Sequence, residues 1–594
     1  MRIKRFMIVL LSVMIVLTSG LLGACQSDTN VPSSSPSSSS SQSPQASPSP
    51  SSQTVEETVD PFGKYDTPIT LTSVFASASA VTDMLSGLGT GETLDDNRWT
   101  KLMKDELNID VQYTAEVDMS QFNEKINIMI ASGQVPDYLT GLSATTVKQM
   151  VDGGLVIPVR DLSDKWSSDV NKTFNNINKY LNWSAFNFDN DYYAIPTVGD
   201  SDPLDNTSII WIRRDWLKNL NLQEPKTLED LDNVIKAFAT QDPDQDGASD
   251  TVGLGVMGGD QFLSSIMGYF NSNNAYPDIW LKDQNGKLAK GLVMPEVKNT
   301  LAKLQDIYAK GYIDTEFSIK GVPQMTEDIA NGKVGMFFGI HASPLVYGFA
   351  AEKAVDPKAD WVALPLPGKA SISAPAAVIT GTVISKNCKN PEAVIKMMNV
   401  ANKFDVSADA ETKNFYVNDA HNFVVPVKYP HLPMTNLYMC LNTTKMLNGM
   451  DVATARDSAI DEFYPPEDAA IIKKMFENET ENIIYTLVNP YVQNQTADNY
   501  PWYIIFGPEG SENVLRTYWD NYNSALQQDM YLGPITENMS EYAPTEQKMR
   551  DETFTRIIMG QDDISAFDDF VKNISAVGYS DVEQEVNDWY QQNK

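Results

Sequence analysis

The segment Asp242-Pro-Asp-Gln-Asp-Gly-Ala-Ser-Asp250 carries the residues best spaced to bind a metal ion. Three carboxylates at alternate positions can point to one centre while the chain turns around it, and Gly247 permits that turn. The expected ligands are the side chains of Asp242, Asp244, Asp246 and Asp250 and the carbonyl oxygen of Ala248. Oxygen ligands of this kind favour Ca²⁺, so the sequence predicts a structural calcium site.

Two features limit what this segment can be. Position twelve, which holds a bidentate glutamate in an EF-hand, is Gly253 here, so the loop is not an EF-hand, and a solvated acidic turn is the alternative. The glycines from Gly253 to Gly258 match GxGxxG, but an acidic loop precedes them instead of a strand. Close backbone packing is therefore a better interpretation than dinucleotide binding.

Cys25 is the second residue with distinctive chemistry. It ends Leu-Gly-Ala-Cys after a basic start and a short apolar run at 6–17, the pattern of a secretory leader. The ending resembles a bacterial lipobox, in which the cysteine is lipidated and becomes the first residue. An uncleaved anchor is the alternative, but the run is short beside the roughly 20 residues that span a membrane. We expect a signal peptide at 1–24.

The Ser/Pro-rich segment at 31–53 offers almost nothing to bury, so 25–65 is predicted to be a disordered tether. Beyond it, 42% hydrophobic content suits a large core. A formal net charge of −33 argues against nucleic acid as a partner. Three histidines are too few and too scattered to indicate a zinc site or a catalytic triad, and with 78 acidic residues an acid pair for glycoside hydrolysis stays open.

The elements that must position these residues alternate between helix and strand. Leu228 to Phe238 has helical spacing, with Thr227 and Asp230 placed as a capping box. A second helix is predicted to begin with Asn390 as N-cap and Pro391 in the first turn. A first strand is predicted near Ile69, and the apolar runs 334–338 and 377–384 are typical of strands covered on both faces. The pattern predicts an α/β fold.

Aromatic side chains make up 10% of the chain, and exposed rings stack on the apolar faces of sugars. Amides such as Asn206 could then bind the hydroxyl groups. For each ring considered alone, packing in the core is the alternative. The candidates for stacking are Tyr192, Tyr193, Trp211, Trp280, Trp502 and Tyr503.

Short segments in a fixed order along the chain resemble a known family. They are Ala131–Asp137 (ASGQVPD), Gly154–Val159, Asp191–Pro196, Trp211–Leu217, Lys386–Ala393 and the pair Ile557–Gly560 and Phe567–Phe570. By these segments the chain resembles extracellular solute-binding proteins of ABC sugar importers, in the large lipoprotein form of Gram-positive bacteria such as Paenibacillus.

The resemblance implies a two-lobed periplasmic-binding-protein-like fold of type II, with an oligosaccharide in the cleft between the lobes. Closure around the ligand would precede docking on the permease subunits of an ABC transporter. No bond of the ligand would be broken, so the protein would not be an enzyme. It would be a monomer tethered by lipid to the outer face of the cell membrane. Crossings between lobes are expected near 200–209 and near 375. The implied boundaries are a bilobal domain at 66–594, with lobe 1 at about 66–203 and 375–480 and lobe 2 at about 204–374 and part of 481–594.

The chain departs from its relatives at two positions. Thr251 stands where the loop of relatives often has Glu, which implies weaker calcium binding. Ala342 stands where relatives often place a stacking Trp, so either His341 or another aromatic replaces that ring, or the ligand differs. Two other functions stay open: a sensory binding protein that reports to a membrane kinase, and an exported enzyme acting on glycans.

Overall fold

The computed structural model describes most of the chain beyond the predicted tether. The described residues are 59–77, 85, 89–118, 121–177, 183–188, 191–197, 204–373, 380–406, 412, 415–416, 424–428, 435–477, 482–533 and 536–592. The predicted signal peptide, the lipidation site Cys25 and most of the predicted tether lie outside these residues. So do 198–203, which include the start of the crossing predicted near 200–209, and 374–379, around the crossing predicted near 375.

The strands form two three-stranded sheets and several two-stranded pairs. In chain order they are β1 (Ile69–Ser77), β2 (Ile109–Asp118), β3 (Tyr138–Leu142), β4 (Asn187–Phe188), β5 (Asp191–Tyr192), β6 (Ile195–Thr197), β7 (Ile209–Arg213), β8 (Trp280–Lys282), β9 (Leu288–Lys290), β10 (Met336–Gly339), β11 (Trp361–Leu364), β12 (Ala370–Ile372), β13 (Thr380–Ile384) and β14 (Leu526–Gln528).

Helices surround these sheets and make up most of the C-terminal part. They are α1 (Arg98–Leu107), α2 (Phe122–Ser132), α3 (Ala144–Asp152), α4 (Arg160–Trp166), α5 (Asp169–Ile177), α6 (Arg214–Asn219), α7 (Leu228–Thr240), α8 (Phe262–Ser272), α9 (Pro295–Ala309), α10 (Val322–Ala330), α11 (Ser343–Val346), α12 (Phe349–Val355), α13 (Glu392–Val406), α14 (Thr435–Leu447), α15 (Val452–Phe463), α16 (Pro466–Met475), α17 (Ile483–Asn494), α18 (Tyr500–Phe506), α19 (Ser511–Asp520), α20 (Tyr522–Ala525), α21 (Glu537–Ile558), α22 (Ala566–Ile574) and α23 (Ser580–Gln592).

The first lobe is built on the sheet β3-β13-β6, in which β13 pairs antiparallel with both neighbours. The strands β1 and β2 run parallel beside it and are joined by α1. Val383 and Ile384 of β13 are at most 1% exposed, which agrees with the prediction of a strand covered on both faces. This lobe therefore places β13, from late in the chain, between strands from its beginning.

The second lobe is built on the sheet β10-β7-β11, with β7 in the centre and antiparallel to both neighbours. Every residue of β7 and of β11 is buried. The predicted strand at 334–338 is confirmed with its bounds shifted to Met336–Gly339. Continuous apolar sequence is what strands with no solvent-facing side require.

The helix predicted from Leu228 is confirmed, and it extends to Thr240. The Asp230 amide donates to the Thr227 hydroxyl at 3.2 Å, and the Thr227 amide donates to the Asp230 carboxylate at 3.0 Å, so the capping box forms as predicted. The helix predicted at Pro391 begins one residue later, at Glu392. Its predicted inward residue Met397 is fully buried.

The apolar cores divide along the same line as the two principal sheets. One group, from Leu71 to Val427, packs in the first lobe, and a larger group joins Leu204–Ile372 to residues as late as Val586. Smaller clusters within 435–506 lie beside them, and α5 contributes Phe174 to one of these. The exact lobe boundaries stay a prediction.

The described residues contain neither a disulfide nor a helix that could span a membrane. Cys388 and Cys440 are free thiols, with Cys440 buried, so they do not form a disulfide with each other. Among the described residues, no helix combines the length and the apolar character that crossing a membrane requires.

Candidate functional site

A large cleft of about 2930 Å³ runs along the second lobe and reaches α2 of the first lobe. The first lobe contributes the exposed residues Asn123, Glu124 and Asn127. The second lobe contributes the segment 257–265, the segment 318–323 and the middle of α21 from Pro544 to Arg556. The cleft is therefore bounded by elements that are far apart in sequence.

The lining of this cleft combines apolar side chains, such as Met257, Phe338 and Ile340, with many polar ones. Amide and hydroxyl side chains on it come from both lobes, and they include Asn123, Asn127, Asn206, Gln261, Gln547, Ser264, Ser318, Ser371, Ser373 and Thr545. The described lining has five acidic residues, Glu124, Asp260, Asp278, Asp551 and Glu552, against three basic ones, Lys320, Lys548 and Arg556. Such a surface offers the many donors and acceptors that a polyhydroxylated solute needs for hydrogen bonding.

All three tryptophans that were predicted to stack on sugar lie in the core instead. Trp211 is fully buried in β7, and its indole donates to the Ile340 carbonyl at 2.9 Å. Trp502 is 2% exposed and packs with Phe506. Trp280 is 7% exposed and stacks on Tyr579 with the ring planes 3° apart. A ring with no accessible face cannot stack on a ligand, so the packing alternative replaces the earlier expectation for all three.

The three predicted tyrosines are half-buried and lie away from the residues that line the cleft. Tyr192 packs edge-on against Trp183 in the first lobe, under the guanidinium of Arg160. Tyr193 packs near Phe188. Tyr503 packs on Tyr491, with ring centroids 4.7 Å apart. These contacts again favour a packing role.

Asn206 is exposed and lines the cleft, as predicted for a residue that binds hydroxyl groups. His341 is 7% exposed and lies beneath the cleft. Its Nδ1 hydrogen-bonds to Glu512, its Nε2 is 3.8 Å from Asp205, and Asp205 also accepts from Asn436 at 3.0 Å. The imidazole thus joins β10, the segment before β7 and α19, which assigns it a structural role instead of ligand contact.

The ligand atoms of Asp205, His341 and Glu512 lie within 4.8 Å of one another, close enough to hold a metal ion. Both ring nitrogens of His341 already face a carboxylate, Glu512 through a hydrogen bond and Asp205 at 3.8 Å, while Glu512 Oε2 has no hydrogen-bond partner among the described residues. We therefore treat the cluster as part of the scaffold under the cleft.

Tyr347 is the aromatic residue that sequence reasoning missed. It lines the cleft and is half-buried, with its ring edge-on to Phe337. It lies about one and a half helical turns after Ala342, the position where relatives often carry Trp. Burial raises the pKa of the Tyr347 phenol to about 12, so the hydroxyl stays neutral. A polar-tipped ring at this place could have been suspected from its distance to Ala342.

The acidic loop follows α7 and brings three predicted ligands together. The carboxylate oxygens of Asp242, Asp244 and Asp246 lie within 4.8 Å of one another. Asp242 and Gly247 adopt left-handed backbone conformations, which turn the chain around that centre. Burial, with the neighbouring carboxylates, raises the pKa of Asp244.

The other two predicted ligands are less clearly placed. Asp250 is exposed and is not grouped with the other three carboxylates, and the Ala248 amide donates to Asp246 at 2.7 Å. Three carboxylates and backbone oxygens suit a hard divalent cation. Three of the five predicted ligands thus converge, and Ca²⁺ binding by the loop stays a prediction.

The GxGxxG segment has the packing role that was expected of it. A β-carbon on Gly253 would lie 2.0 Å from the Ile235 carbonyl oxygen of α7, and one on Gly258 would lie 2.1 Å from the Ser318 carbonyl oxygen. The glycines therefore let the segment after the acidic loop pack directly on neighbouring backbone.

A family model described as bacterial extracellular solute-binding protein matches residues 90–403. The chain belongs to this family. The matched region begins shortly before α1 and ends in α13, and it includes all three strands of the second-lobe sheet. Members of the family are binding proteins.

Curated relatives align over only part of their length. The chain is 30% identical over 221 residues to the polygalacturonan/rhamnogalacturonan-binding protein YtcQ of Bacillus subtilis (36% of this chain, 41% of that one). It is 29% identical over 209 residues to the fructooligosaccharide ABC transporter substrate-binding protein FusA of Streptococcus pneumoniae (33% and 38%). The aligned region thus spans about two fifths of each relative.

Solved structures are similar over most of the chain. An extracellular solute-binding protein from Bifidobacterium longum subsp. infantis superposes with a TM-score of 0.55 at 16% identity, covering 90% of this chain and 99% of that one. The alginate-binding protein AlgQ2 without calcium ion gives a TM-score of 0.51 at 17% identity, covering 89% and 99%. At such identities the likeness establishes the fold, which is the two-lobed α/β fold predicted from the sequence.

Proposed function

We propose that this protein captures an oligosaccharide in the cleft between its lobes and delivers it to the membrane subunits of an ABC importer. The observation that carries the proposal is the cleft itself, a volume of about 2930 Å³ lined by amides and hydroxyls from both lobes. Its size suits an oligosaccharide better than a single sugar, since ordinary small-molecule pockets have about 300–1,000 Å³.

The delivery step follows from the geometry of the two lobes. A solute that contacts α2 and the second lobe together stabilises their approach by its differential affinity for the closed form. The closed form then presents a surface to the permease that the open form lacks. No bond of the solute is broken, and the protein acts as a monomer.

Thermal unfolding against a sugar panel tests this function. The purified protein is heated with neutral and acidic oligosaccharides of three to five units, and the supernatant is analysed for shorter products. A ligand that binds only the folded state adds about 2.7 kcal/mol at a hundredfold excess over Kd, which raises Tm clearly. A shift with intact sugar supports capture. Shorter products would favour an exported enzyme, and no shift with any member would overturn sugar capture.

Attachment to the cell surface is a further part of the proposal. The sequence around Cys25 supports lipidation, and 25–65 would then connect the lipid to the folded lobes on the outer face of a Gram-positive membrane. A sensory protein paired with a membrane kinase would use the same anchor and cleft, so the two functions are separated by whether sugar uptake stops when the protein is removed.

We also propose that the loop at 242–250 holds Ca²⁺ as a structural ion. The converging carboxylates of Asp242, Asp244 and Asp246 support this, because three like charges in close contact repel one another without a cation. The ion would tie the end of α7 to the segment that packs on α7 through Gly253, at a distance from the solute.

A further inference from the structure

A carboxylate on the wall of the cleft has an acceptor atom that no described protein group satisfies. Asp278 lines the cleft, and its Oδ2 accepts a hydrogen bond from the Ser371 hydroxyl at 2.8 Å. Its other oxygen, Oδ1, is buried and has no hydrogen-bond partner among the described residues. Leaving a buried acceptor unpaired destabilises the protein, so its presence calls for a partner from outside the chain.

The protein fixes this carboxylate in place before any ligand arrives. Ser371 lies in β12, where its amide donates to Asn271 Oδ1 at 2.8 Å, and its single hydroxyl proton is shared between Asp278 Oδ2 at 2.8 Å and Asn271 Oδ1 at 3.1 Å. Asn271 is fully buried and is itself anchored by donating to the Ala275 carbonyl at 3.2 Å. The chain of contacts from Asn271 through Ser371 to Asp278 is therefore a preorganised arrangement on rigid elements.

The nearby cations are committed to other carboxylates. Lys290 donates to both oxygens of Glu546, at 2.7 and 2.8 Å, and Arg550 donates to Asp551 at 2.8 Å. They attract Asp278 only from a distance, while burial raises the pKa of its carboxyl group. Asp278 thus lines the cleft with no cation paired to either of its oxygens among the described residues.

The rest of the lining disfavours an acidic solute. Lys320 is paired with Asp314 and Asp328 at 2.5 and 2.7 Å, and Arg556 is paired with Asp562 at 2.6 Å. Two of the three basic residues of the described lining are thus neutralised by their own neighbours. A uronate would bring further negative charge to a surface that already has an excess of it, whereas a neutral hydroxyl can donate to a carboxylate oxygen.

We propose that Asp278 binds the ligand by accepting a hydrogen bond from a hydroxyl group of a neutral oligosaccharide, with Ser371 as its positioning residue. This inference rests on the proposed function of sugar capture, and it names both the class of sugar and a residue that recognises it. The hydroxyl would satisfy Oδ1 and so recover the cost of its burial when the ligand binds.

Calorimetric titration of the full protein tests the inference with kestose, cellotriose, xylotriose and trigalacturonate as probes. Asp278→Asn keeps the shape and the acceptor for Ser371 but replaces the charged acceptor at Oδ1 with an amide. We expect affinity for the neutral trisaccharide that binds the natural protein to fall about tenfold or more. Tm without ligand should stay unchanged or rise, because an unpaired buried carboxylate is removed, whereas a purely structural role would lower it.

Asp283→Asn provides the matched control. Asp283 lies in the turn between β8 and β9, where its Oδ1 accepts from the Asn285 and Lys287 amides, and it does not line the cleft. Its substitution should leave sugar affinity unchanged.

The outcomes distinguish a failure of the role of Asp278 from a failure of the proposed sugar capture. If a neutral sugar binds and Asp278→Asn binds it equally well, the role of Asp278 is overturned while sugar capture stands. If trigalacturonate binds more tightly than every neutral probe, the neutral class is overturned. If the natural protein binds none of the probes, the proposed function itself is contradicted.

Discussion

At the scale of single residues, burial sets the protonation of the carboxyl groups behind the cleft wall. Asp529 Oδ1 accepts from the Trp280 and Tyr531 amides at 3.1 and 2.9 Å, yet burial outweighs these bonds and raises the pKa of Asp529 to about 7. Asp278 adds to the shift because its charge repels a second one nearby. The folded protein therefore holds a proton that the unfolded chain releases near pH 4.

This shift predicts how stability depends on pH. The stabilisation from Asp529 is complete below about pH 4 and is lost as pH rises through about 7, because the charged form must then be buried. Asp529→Asn keeps Oδ1 for both amides and never becomes charged. We expect its Tm to exceed that of the natural protein at about pH 8 and to exceed it by less at about pH 5. The same difference at both values, measured by calorimetry, would contradict the assignment.

At this scale the sequence was sufficient to predict local features but not whether an aromatic ring lies in the cleft or in the core. Capping at Thr227 and convergence at Asp242–Asp246 depend on neighbours in sequence, so their spacing was sufficient to predict them. Trp211 and Trp502 could not be assigned, because whether a ring faces a cleft or a core depends on which distant elements cover it. Asp278 had no local signal at all, since its partner Ser371 is far away in sequence.

At the scale of elements, the acidic loop and α7 act as one unit. The loop leaves the C-terminus of α7, and Thr251 returns to donate to the Phe238 carbonyl at 2.7 Å. Gly253 then packs on the Ile235 carbonyl of the same helix. Local signals predicted α7 and the strands but not the order of the strands in the sheets. That order depends on long-range contacts, such as those that place β13 between β3 and β6.

Asp244→Ala tests whether Ca²⁺ stabilises this unit. With saturating Ca²⁺ the natural protein should gain about 2.7 kcal/mol at a hundredfold excess over Kd, and the variant should lose most of this gain. In chelator the two should unfold at nearly the same temperature, since the variant removes one of three mutually repelling carboxylates. Asp306→Ala, on the exposed face of α9, is the control and should respond to Ca²⁺ like the natural protein. Equal loss of stability for Asp244→Ala with and without Ca²⁺ would exclude a metal role.

At the scale of the whole molecule, the two lobes contribute unequally to the cleft. The second lobe and α21 supply most of the lining, including Asp278, while the first lobe supplies a short exposed stretch of α2 with Asn123 and Asn127. A solute held first by the second lobe therefore needs only a few contacts to α2 to favour the closed form. Those contacts set how far the population shifts, because a ligand moves an equilibrium only by its differential affinity.

Small-angle scattering on the variant Asn123→Ala/Asn127→Ala tests this division of labour. In the natural protein, a bound oligosaccharide should reduce the radius of gyration. The double variant should still bind the sugar through Asp278, but more weakly and with a smaller reduction, because it loses the contacts made only after closure. Both side chains are exposed, so the free energy of unfolding without ligand should change by no more than about 0.5 kcal/mol. Full closure and unchanged affinity in the double variant would mean that α2 does not contact the solute, and that the approach of the lobes is favoured by other surfaces.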